Sequence, residues 1–263
     1  MQSLTSRKNN HFISYLGVFS LSFGSAIGWG SFVLSGDNFL ANAGPLGTSI
    51  GLAIGAFIMT IIGMNYHFLM NHDQDNGGAY AYAKKYTNQD HGFLVGFFLL
   101  VGYLAILWAN MASVIRISRA ICGSFFQFGF SYTIFSSGNT IYLGEILLEI
   151  LVIVIFSLIV FKWKKLAIYL QIIFSIILLL GVFIIFFASL FSGTFSLAPL
   201  FAEGNEIRQV FNVLLMSPWA FIGFESVSHS AEEFSFPKKN IYKVLIASIV
   251  FGLVVFCFLH TFQ

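Results

Sequence analysis

The chain is dominated by long apolar runs separated by short polar stretches. Each run approaches the roughly 20 residues that an α-helix needs to cross about 30 Å of hydrocarbon. Because backbone N–H and C=O groups cannot stay unpaired in lipid, such runs predict helices rather than barrel strands. The seven predicted spans are Tyr15 to Leu40, Gly47 to Met70, Gly92 to Ile115, Gly144 to Phe161, Leu166 to Phe191, Val210 to Ser230 and Val244 to Phe262.

Composition excludes a soluble globular protein, because only 9% of the residues are charged, against about 25% in soluble domains. The predicted class is an all-α polytopic protein of the cell membrane. No phosphate-binding loop, metal-ligand cluster or Ser/His/Asp set is present, so we expect no enzyme activity, catalytic residue, metal or cofactor, and no nucleic-acid partner. The best enzyme alternative is an intramembrane protease with the glutamate pair Glu232 and Glu233, but Pro237 follows where that class usually has an arginine.

Basic residues predict the orientation of the chain in the bilayer. With the N-terminus in the cytoplasm, ten of the thirteen lysines and arginines lie inside, which the positive-inside rule favours. The ten are Arg7, Lys8, Lys84, Lys85, Lys162, Lys164, Lys165, Lys238, Lys239 and Lys243.

Four charges flank the loop between spans three and four. Arg116 and Arg119 are spaced i, i+3, and Glu145 and Glu149 are spaced i, i+4. Antiparallel neighbours would bring these charges to one depth, which predicts an ion-paired hairpin. The alternative is that all four side chains reach independently to the interface.

Two of the spans contain helix-breaking residues near the middle. Span one carries FGSAIGWGSF (Phe23 to Phe32), and span six carries SPWAFIGFE (Ser217 to Glu225). In span one alone, small residues are equally typical of close helix packing. The pair, in corresponding positions of two half-molecules, indicates the substrate site of an inverted-repeat transporter.

A helix that opens at mid-membrane exposes backbone groups that line a polar site. N–H groups at the start of a half-helix attract a carboxylate, and carbonyls at a helix end attract an ammonium group. The predicted ligand is therefore an α-amino acid zwitterion. Its carboxylate would bind around Ser25 to Gly30, and its amine would bind carbonyls around Trp219 to Ile222.

Three motifs resemble the amino acid-polyamine-organocation superfamily of permeases. A pattern like G-x-x-I-G-x-G-x-F appears at Gly24 to Phe32, and one like W-x-F-I-G-x-E at Trp219 to Glu225. A third, GG-x-Y-x-Y, runs from Gly77 to Tyr82 beside a predicted short interfacial helix. The resemblance implies the leucine-transporter fold and secondary transport of amino acids or related amines by alternating access, with a coupling proton or counter-substrate as a further partner.

The resemblance also assigns site residues. The substrate-binding set is Gly24, Ser25, Ala26, Ile27, Gly28, Trp29, Gly30, Trp219, Ala220, Phe221, Ile222 and Gly223. Trp219 resembles an aromatic that packs over substrate, and Phe221 a lining or gating aromatic. Glu225 resembles a residue implicated in proton-linked steps, the alternative being a protonated glutamate that only bonds an adjacent helix.

The predicted organisation is one transmembrane permease domain over residues 1–263. A first repeat covers about 15–191 with helices one to five, and the start of a second covers about 206–263 with helices six and seven. Superfamily members have ten core helices, so we expect a fold truncated after about seven. The rival to transport is accordingly a transport-inactive fragment, or an accessory subunit that needs the missing helices.

Overall fold

The computed structural model describes residues 11–73, 77–134, 138–191 and 199–259. Its α-helices are α1 (Tyr15–Ala26), α2 (Trp29–Val33), α3 (Ala41–His72), α4 (Gly78–Tyr86), α5 (Gln89–Cys122), α6 (Leu143–Lys162), α7 (Lys164–Phe191), α8 (Glu206–Ala220) and α9 (Ile241–Leu259). A π-helical turn (Leu34–Leu40) joins α2 to α3, and 3₁₀ segments follow α8 (Phe224–Glu233) and precede α9 (Lys238–Asn240). Two strands, β1 (Ser131–Thr133) and β2 (Thr140–Tyr142), lie between α5 and α6.

Six described helical stretches are long and apolar enough to cross a membrane, and they correspond to predicted spans two to seven. The all-α polytopic class is therefore confirmed. Residues 260–262 of the seventh predicted span lie outside the described residues, as do Arg7 and Lys8 of the orientation argument. The short helix predicted beside the third motif is also confirmed, as α4, which begins at the second glycine of the motif.

Span one is not a single helix but is divided into α1, α2 and the π-helical turn. Ser14 caps the N-terminus of α1, because its hydroxyl accepts a hydrogen bond at 3.3 Å from the N–H of Gly17. The helix ends after only 12 residues, where Ile27 takes an extended conformation with φ −102° and ψ 106°. The sequence interruption is therefore a real break in the backbone.

Helix α3 begins with a kink at Gly44, whose φ is +64°. Pro45 follows, and its missing N–H suits it to the first turn of a helix. Glycine is required at position 44 for a second reason. A Cβ there would lie 2.8 Å from the backbone of Leu200 and Phe201.

A stripe of glycines on α3 faces α8. Gly51 lies against Val213, and a Cβ on it would come within 2.7 Å of the valine Cβ. A Cβ on Gly55 would come still closer to the side chain of Ser217. The four-residue spacing puts both glycines on one face, so the two helices approach at backbone distance.

The described residues form two compact units, one within Met1–Gly96 and Ile168–Gln263 and the other within Phe97–Ala167. The buried core of the first unit draws on α1, α3, α8 and α9, with Phe23, Leu52, Phe221 and Phe256 among its largest side chains. Both helix interruptions belong to this unit.

The second unit contains an antiparallel β-hairpin that pairs Ser131 with Tyr142 and Thr133 with Thr140. Arg119 on α5 binds both α6 and the hairpin. Its guanidinium donates hydrogen bonds to both carboxylate oxygens of Glu145, at 2.5 and 2.7 Å, and to the carbonyl of Thr140 at 2.6 Å. The predicted ion-paired hairpin is confirmed for this pair of charges. The hairpin strands themselves were not predicted.

Candidate functional site

The first interruption lies between α1 and α2, at Ile27 and Gly28. The N–H of Ile27 still closes the last turn of α1 by donating to the Phe23 carbonyl at 2.8 Å. Beyond it, Ser31 bridges the gap, since its hydroxyl accepts from the Gly28 N–H at 3.2 Å and donates to the Ala26 carbonyl at 3.3 Å. Ser31 is buried. It was not among the predicted site residues, although a serine inside a glycine run was the available signal.

The second interruption follows α8, which contains Pro218 in its last turn. Pro218 has no N–H for the Leu214 carbonyl, and the Ser217 hydroxyl donates to that carbonyl instead, at 2.8 Å. After Ala220 the chain turns at Gly223, whose φ of +101° is left-handed. The backbone here is therefore broken by proline and glycine together, as predicted.

Glu225 lies in the first turn of the second half of span six. Its carboxylate accepts a hydrogen bond at 2.9 Å from the N–H of Gly223, two residues earlier. The backbone then continues as a 3₁₀ segment in which Ser226 donates its N–H to the Gly223 carbonyl at 3.0 Å. Glu225 thus has a local structural role, whatever further role it takes.

The two interruptions are in direct contact. A Cβ built on Gly223 would lie 2.7 Å from the Cβ of Ser25 and 3.0 Å from its carbonyl oxygen. The hydroxyls of Ser25 and Ser226 are 3.2 Å apart. Because Ser25 already donates its one hydroxyl proton to the Leu21 carbonyl, Ser226 is the donor between them.

The predicted residues of span one divide by environment. Gly24 lies against α7, and a Cβ on it would collide with the side chains of Gln171 and Ser175. These two side chains donate hydrogen bonds to the Ser20 carbonyl, at 3.1 and 3.3 Å. Ile27 is buried, whereas Gly30 is exposed and a Cβ on it would meet nothing within 4 Å. The remaining members are the exposed Ser25 and the half-buried Ala26 and Gly28. The side chain of Trp29 lies outside the described part of the structure.

The predicted residues of span six also divide. Ala220 and Phe221 are buried, and the Phe221 ring packs 6.3 Å from that of Phe256 on α9. Trp219 is 56% exposed and Ile222 36% exposed. Phe221 therefore lies in the core of the unit and Trp219 on its exposed side, while their roles toward substrate stay predictions.

The third sequence motif packs against the second interruption. Gly78 begins α4 with a φ of +54°, and a Cβ on it would lie 2.7 Å from the Ser228 hydroxyl. Tyr82 is buried in the same region, where its ring is 6.5 Å from that of Tyr66. The Tyr66 ring in turn meets the ring of Phe224 at 5.7 Å. All three motifs of the sequence therefore lie side by side.

An ion pair closes the junction of α3 and α4. Asp73, buried just after α3, accepts a hydrogen bond from Lys85. This contact lowers the pKa of the Asp73 carboxyl, although burial opposes the change, and Asp73 in turn raises the pKa of the Tyr86 hydroxyl. The pair ties the motif-bearing helix α4 to α3.

A backbone strap joins the segment before α1 to the segment after the 3₁₀ helix. The N–H groups of Phe12 and Ile13 donate to the Glu233 carbonyl at 2.9 and 3.0 Å, and Ser235 returns its N–H to the Ile13 carbonyl at 3.0 Å. Tyr15 adds a stacked contact, with its ring 3.8 Å from that of Phe236. No sequence signal predicted this strap, since backbone groups make most of its bonds.

The fold and the site define a class: a polytopic helical membrane protein in which the first and sixth spans are both interrupted and touch at the interruptions. The chain belongs to the amino acid permease family, whose sequence model matches residues 13–262. The resemblance to the amino acid-polyamine-organocation superfamily is thereby confirmed. Members of this family are transporters, which excludes the protease alternative.

A curated relative is the arginine/ornithine antiporter of Pseudomonas aeruginosa, 27% identical over 217 residues. The matched region covers 80% of this chain and 42% of the relative, so the chain spans about two fifths of the length of that protein. No solved structure matched the chain.

Proposed function

We propose that this protein takes part in secondary transport of amino acids or related amines, with the substrate held between the two interrupted spans. The observation that carries the proposal is the contact of Gly223 with Ser25, because it brings two broken helices to one point. Irregular backbone at membrane depth is tolerated where it lines a polar cavity, and paired broken helices are typical of substrate sites in inverted-repeat transporters.

The polar groups at the breaks support a zwitterionic substrate. Ser31 already occupies the N–H of Gly28, so the carboxylate role passes to the N–H groups of Trp29 and Gly30 in the first turn of α2. The first N–H groups of a helix have no partner within it and carry partial positive charge. Carbonyls at the end of α8 supply the opposite polarity for the amine.

The name of the curated relative favours exchange of basic amino acids as the first activity to test. Arginine and ornithine carry the carboxylate and α-amine that the two helix ends suit, with an extra cationic group. Glu225 is the proposed proton-linked residue, because its carboxylate already contacts the backbone of the second break. The proposed location is the cell membrane, with the N-terminus in the cytoplasm.

A second candidate is a transport-inactive chain, or an accessory subunit that works with further helices. The match covers 42% of the relative, so transport by these residues alone is the point that the test must decide. In this case the interruptions would still form, but uptake would need a partner or an extended chain.

The test is uptake of radiolabelled arginine and ornithine into proteoliposomes that hold the 263-residue chain. A parallel sample holds the chain extended with the following helices of a relative. Uptake by both supports transport by this chain, and uptake only by the extended chain supports the second candidate. If Gly223→Leu inserts and folds in the extended chain but transports at the unchanged rate, the site between the interruptions is wrong.

A further inference from the structure

The second unit contains a cavity that the transport site does not use. It has a volume of about 430 Å³, is partly open to the surroundings, and is lined by residues of α5, the β-hairpin and α6. Its lining combines aromatic, polar and charged side chains, among them Trp108, Arg116, Tyr132, Thr140 and Glu149. Every lining residue belongs to the stretch Phe97–Ala167.

The charges around this cavity are only half compensated within the second unit. Arg119 and Glu145 satisfy each other through two hydrogen bonds, and Arg119 also bonds the Thr140 carbonyl. Arg116, one turn earlier on α5, and Glu149, one turn later on α6, both line the cavity. Neither forms an ion pair with any residue that the structure describes.

Arg116 is exposed and Glu149 is half-buried, and both lie within their helices rather than at the helix ends. Arg116 is six residues from the end of α5 and Glu149 six residues from the start of α6, or about 9 Å along each helix. A charge inside an apolar span is expensive unless it is paired or meets a polar cavity. Trp108 and Tyr132 are residue types that concentrate where apolar and polar surroundings meet.

We infer that this cavity binds a zwitterion that carries a primary ammonium group and an oxyanion. Arg116 presents a planar fork of N–H donors that suits a carboxylate or phosphate. Glu149 accepts the ammonium hydrogens, and the indole of Trp108 offers an aromatic face to the same cation. One ligand thereby compensates both charges that the protein leaves open.

Two sources supply this chemistry: a soluble amino acid, or the headgroup of an ethanolamine phospholipid. Both carry the two charges on a short linker. The inference is independent of the proposed transport function, because the cavity lies within the second unit and both helix interruptions lie within the first.

The first experimental arm uses soluble probes and the full chain in detergent. Glycine and O-phosphoethanolamine are titrated by calorimetry, with ethanolamine and acetate as probes that carry one charge each. We expect both zwitterions to bind more tightly than either single-charge probe. We further expect Arg116→Gln and Glu149→Gln each to weaken zwitterion binding roughly tenfold, the loss of about one charge-assisted hydrogen bond.

The second arm uses nanodiscs that contain either phosphatidylethanolamine or phosphatidylcholine. Native mass spectrometry measures the lipid retained after delipidation. Selective retention of phosphatidylethanolamine, lost in both variants, identifies the lipid source. Glycine binding that both glutamine variants weaken, without lipid selectivity, identifies the soluble source.

Control variants separate binding from folding. Lys162→Gln removes a charge from the far end of α6, away from the cavity lining, and should leave binding unchanged. Arg116→Lys keeps the charge but loses the fork, and should restore part of the affinity. Circular dichroism confirms the helix content of each variant. The inference is overturned if single-charge probes bind as well as zwitterions, or if both glutamine variants fold and bind like the original protein.

Discussion

Gly223 lies so close to Ser25 that a methyl group on the glycine would fall 2.7 Å from the serine Cβ. The same glycine has a φ of +101°, a conformation that residues with a side chain rarely adopt. The contact between the two broken spans therefore depends on the absence of one carbon atom. This makes position 223 the most direct place to test the site.

Gly223→Ala should destabilise the protein by about 2–4 kcal/mol, from left-handed strain and overpacking together. The free energy of unfolding in detergent, measured by titration with SDS, checks the value. Gly30→Ala is the matched control, because a Cβ there meets nothing within 4 Å, and its effect should stay within about 0.5 kcal/mol. Equal effects of the two substitutions would contradict the close contact.

Ser31→Ala should cost about 1–3 kcal/mol, because the Gly28 N–H and the Ala26 carbonyl both lose their described partner at the break. Ser35→Ala, in the π-helical turn that follows α2, is the control. Ser35 is also buried, but its hydroxyl has no hydrogen-bond partner among the described residues. Its replacement should be neutral or slightly stabilising, and a loss as large as that of Ser31→Ala would exclude the bridging role of Ser31.

The spans and the interruptions were predictable, whereas their partners were not. Apolar length predicts helices, and Pro218, Gly223 and the glycines of span one are residue types that break them. The bridge by Ser31, the strap at Ile13 and the hairpin depend on which distant backbone groups meet in the folded chain. A single sequence contains no direct signal for contacts between backbone groups that are distant along the chain. The charged pair Arg119 and Glu145 was predictable because antiparallel neighbouring helices bring the charges that flank their loop to one depth.

Gly55→Ala should weaken the packing of α3 on α8, since the added Cβ would overlap the Ser217 side chain. We expect a loss of about 1–3 kcal/mol, the usual cost of overpacking. Gly63→Ala, on the same helix, places its Cβ 3.8 Å from Ile249 and Phe224, an ordinary contact distance. Unfolding titrations of both variants measure the difference, and a destabilised Gly63→Ala beside an unaffected Gly55→Ala would refute the stripe.

The Asp73–Lys85 pair should make stability depend on acid pH. Lys85 lowers the pKa of Asp73 in the folded protein, so the pair stabilises fully above the unfolded carboxyl value of about 3.9. That stability is lost as the pH falls through the lower folded value. Thermal unfolding between pH 2.5 and pH 7 should show that Lys85→Gln moves the acid transition to higher pH. Lys84→Gln, one residue away, should not move it.

Glu225→Gln should leave the fold intact but abolish the proton-linked steps of transport. The glutamine carbonyl can still accept the Gly223 N–H, so stability should change by less than about 0.5 kcal/mol. Glu225→Ala removes the acceptor and should cost about 1 kcal/mol. In a transport-competent chain, uptake by Glu225→Gln should lose its dependence on a pH gradient. Retained dependence, with normal folding, would leave Glu225 only its structural role.

The strap between Ile13 and Phe234 reduces the number of independent motions available to the two broken spans. One end of α1 is bonded to one end of the 3₁₀ segment, and the opposite ends touch through Ser25 and Gly223. Because α1 and the 3₁₀ segment are in contact at both ends, a tilt of one of them displaces the other. A conformational change that separates α1 from the 3₁₀ segment must therefore first break the backbone bonds of the strap.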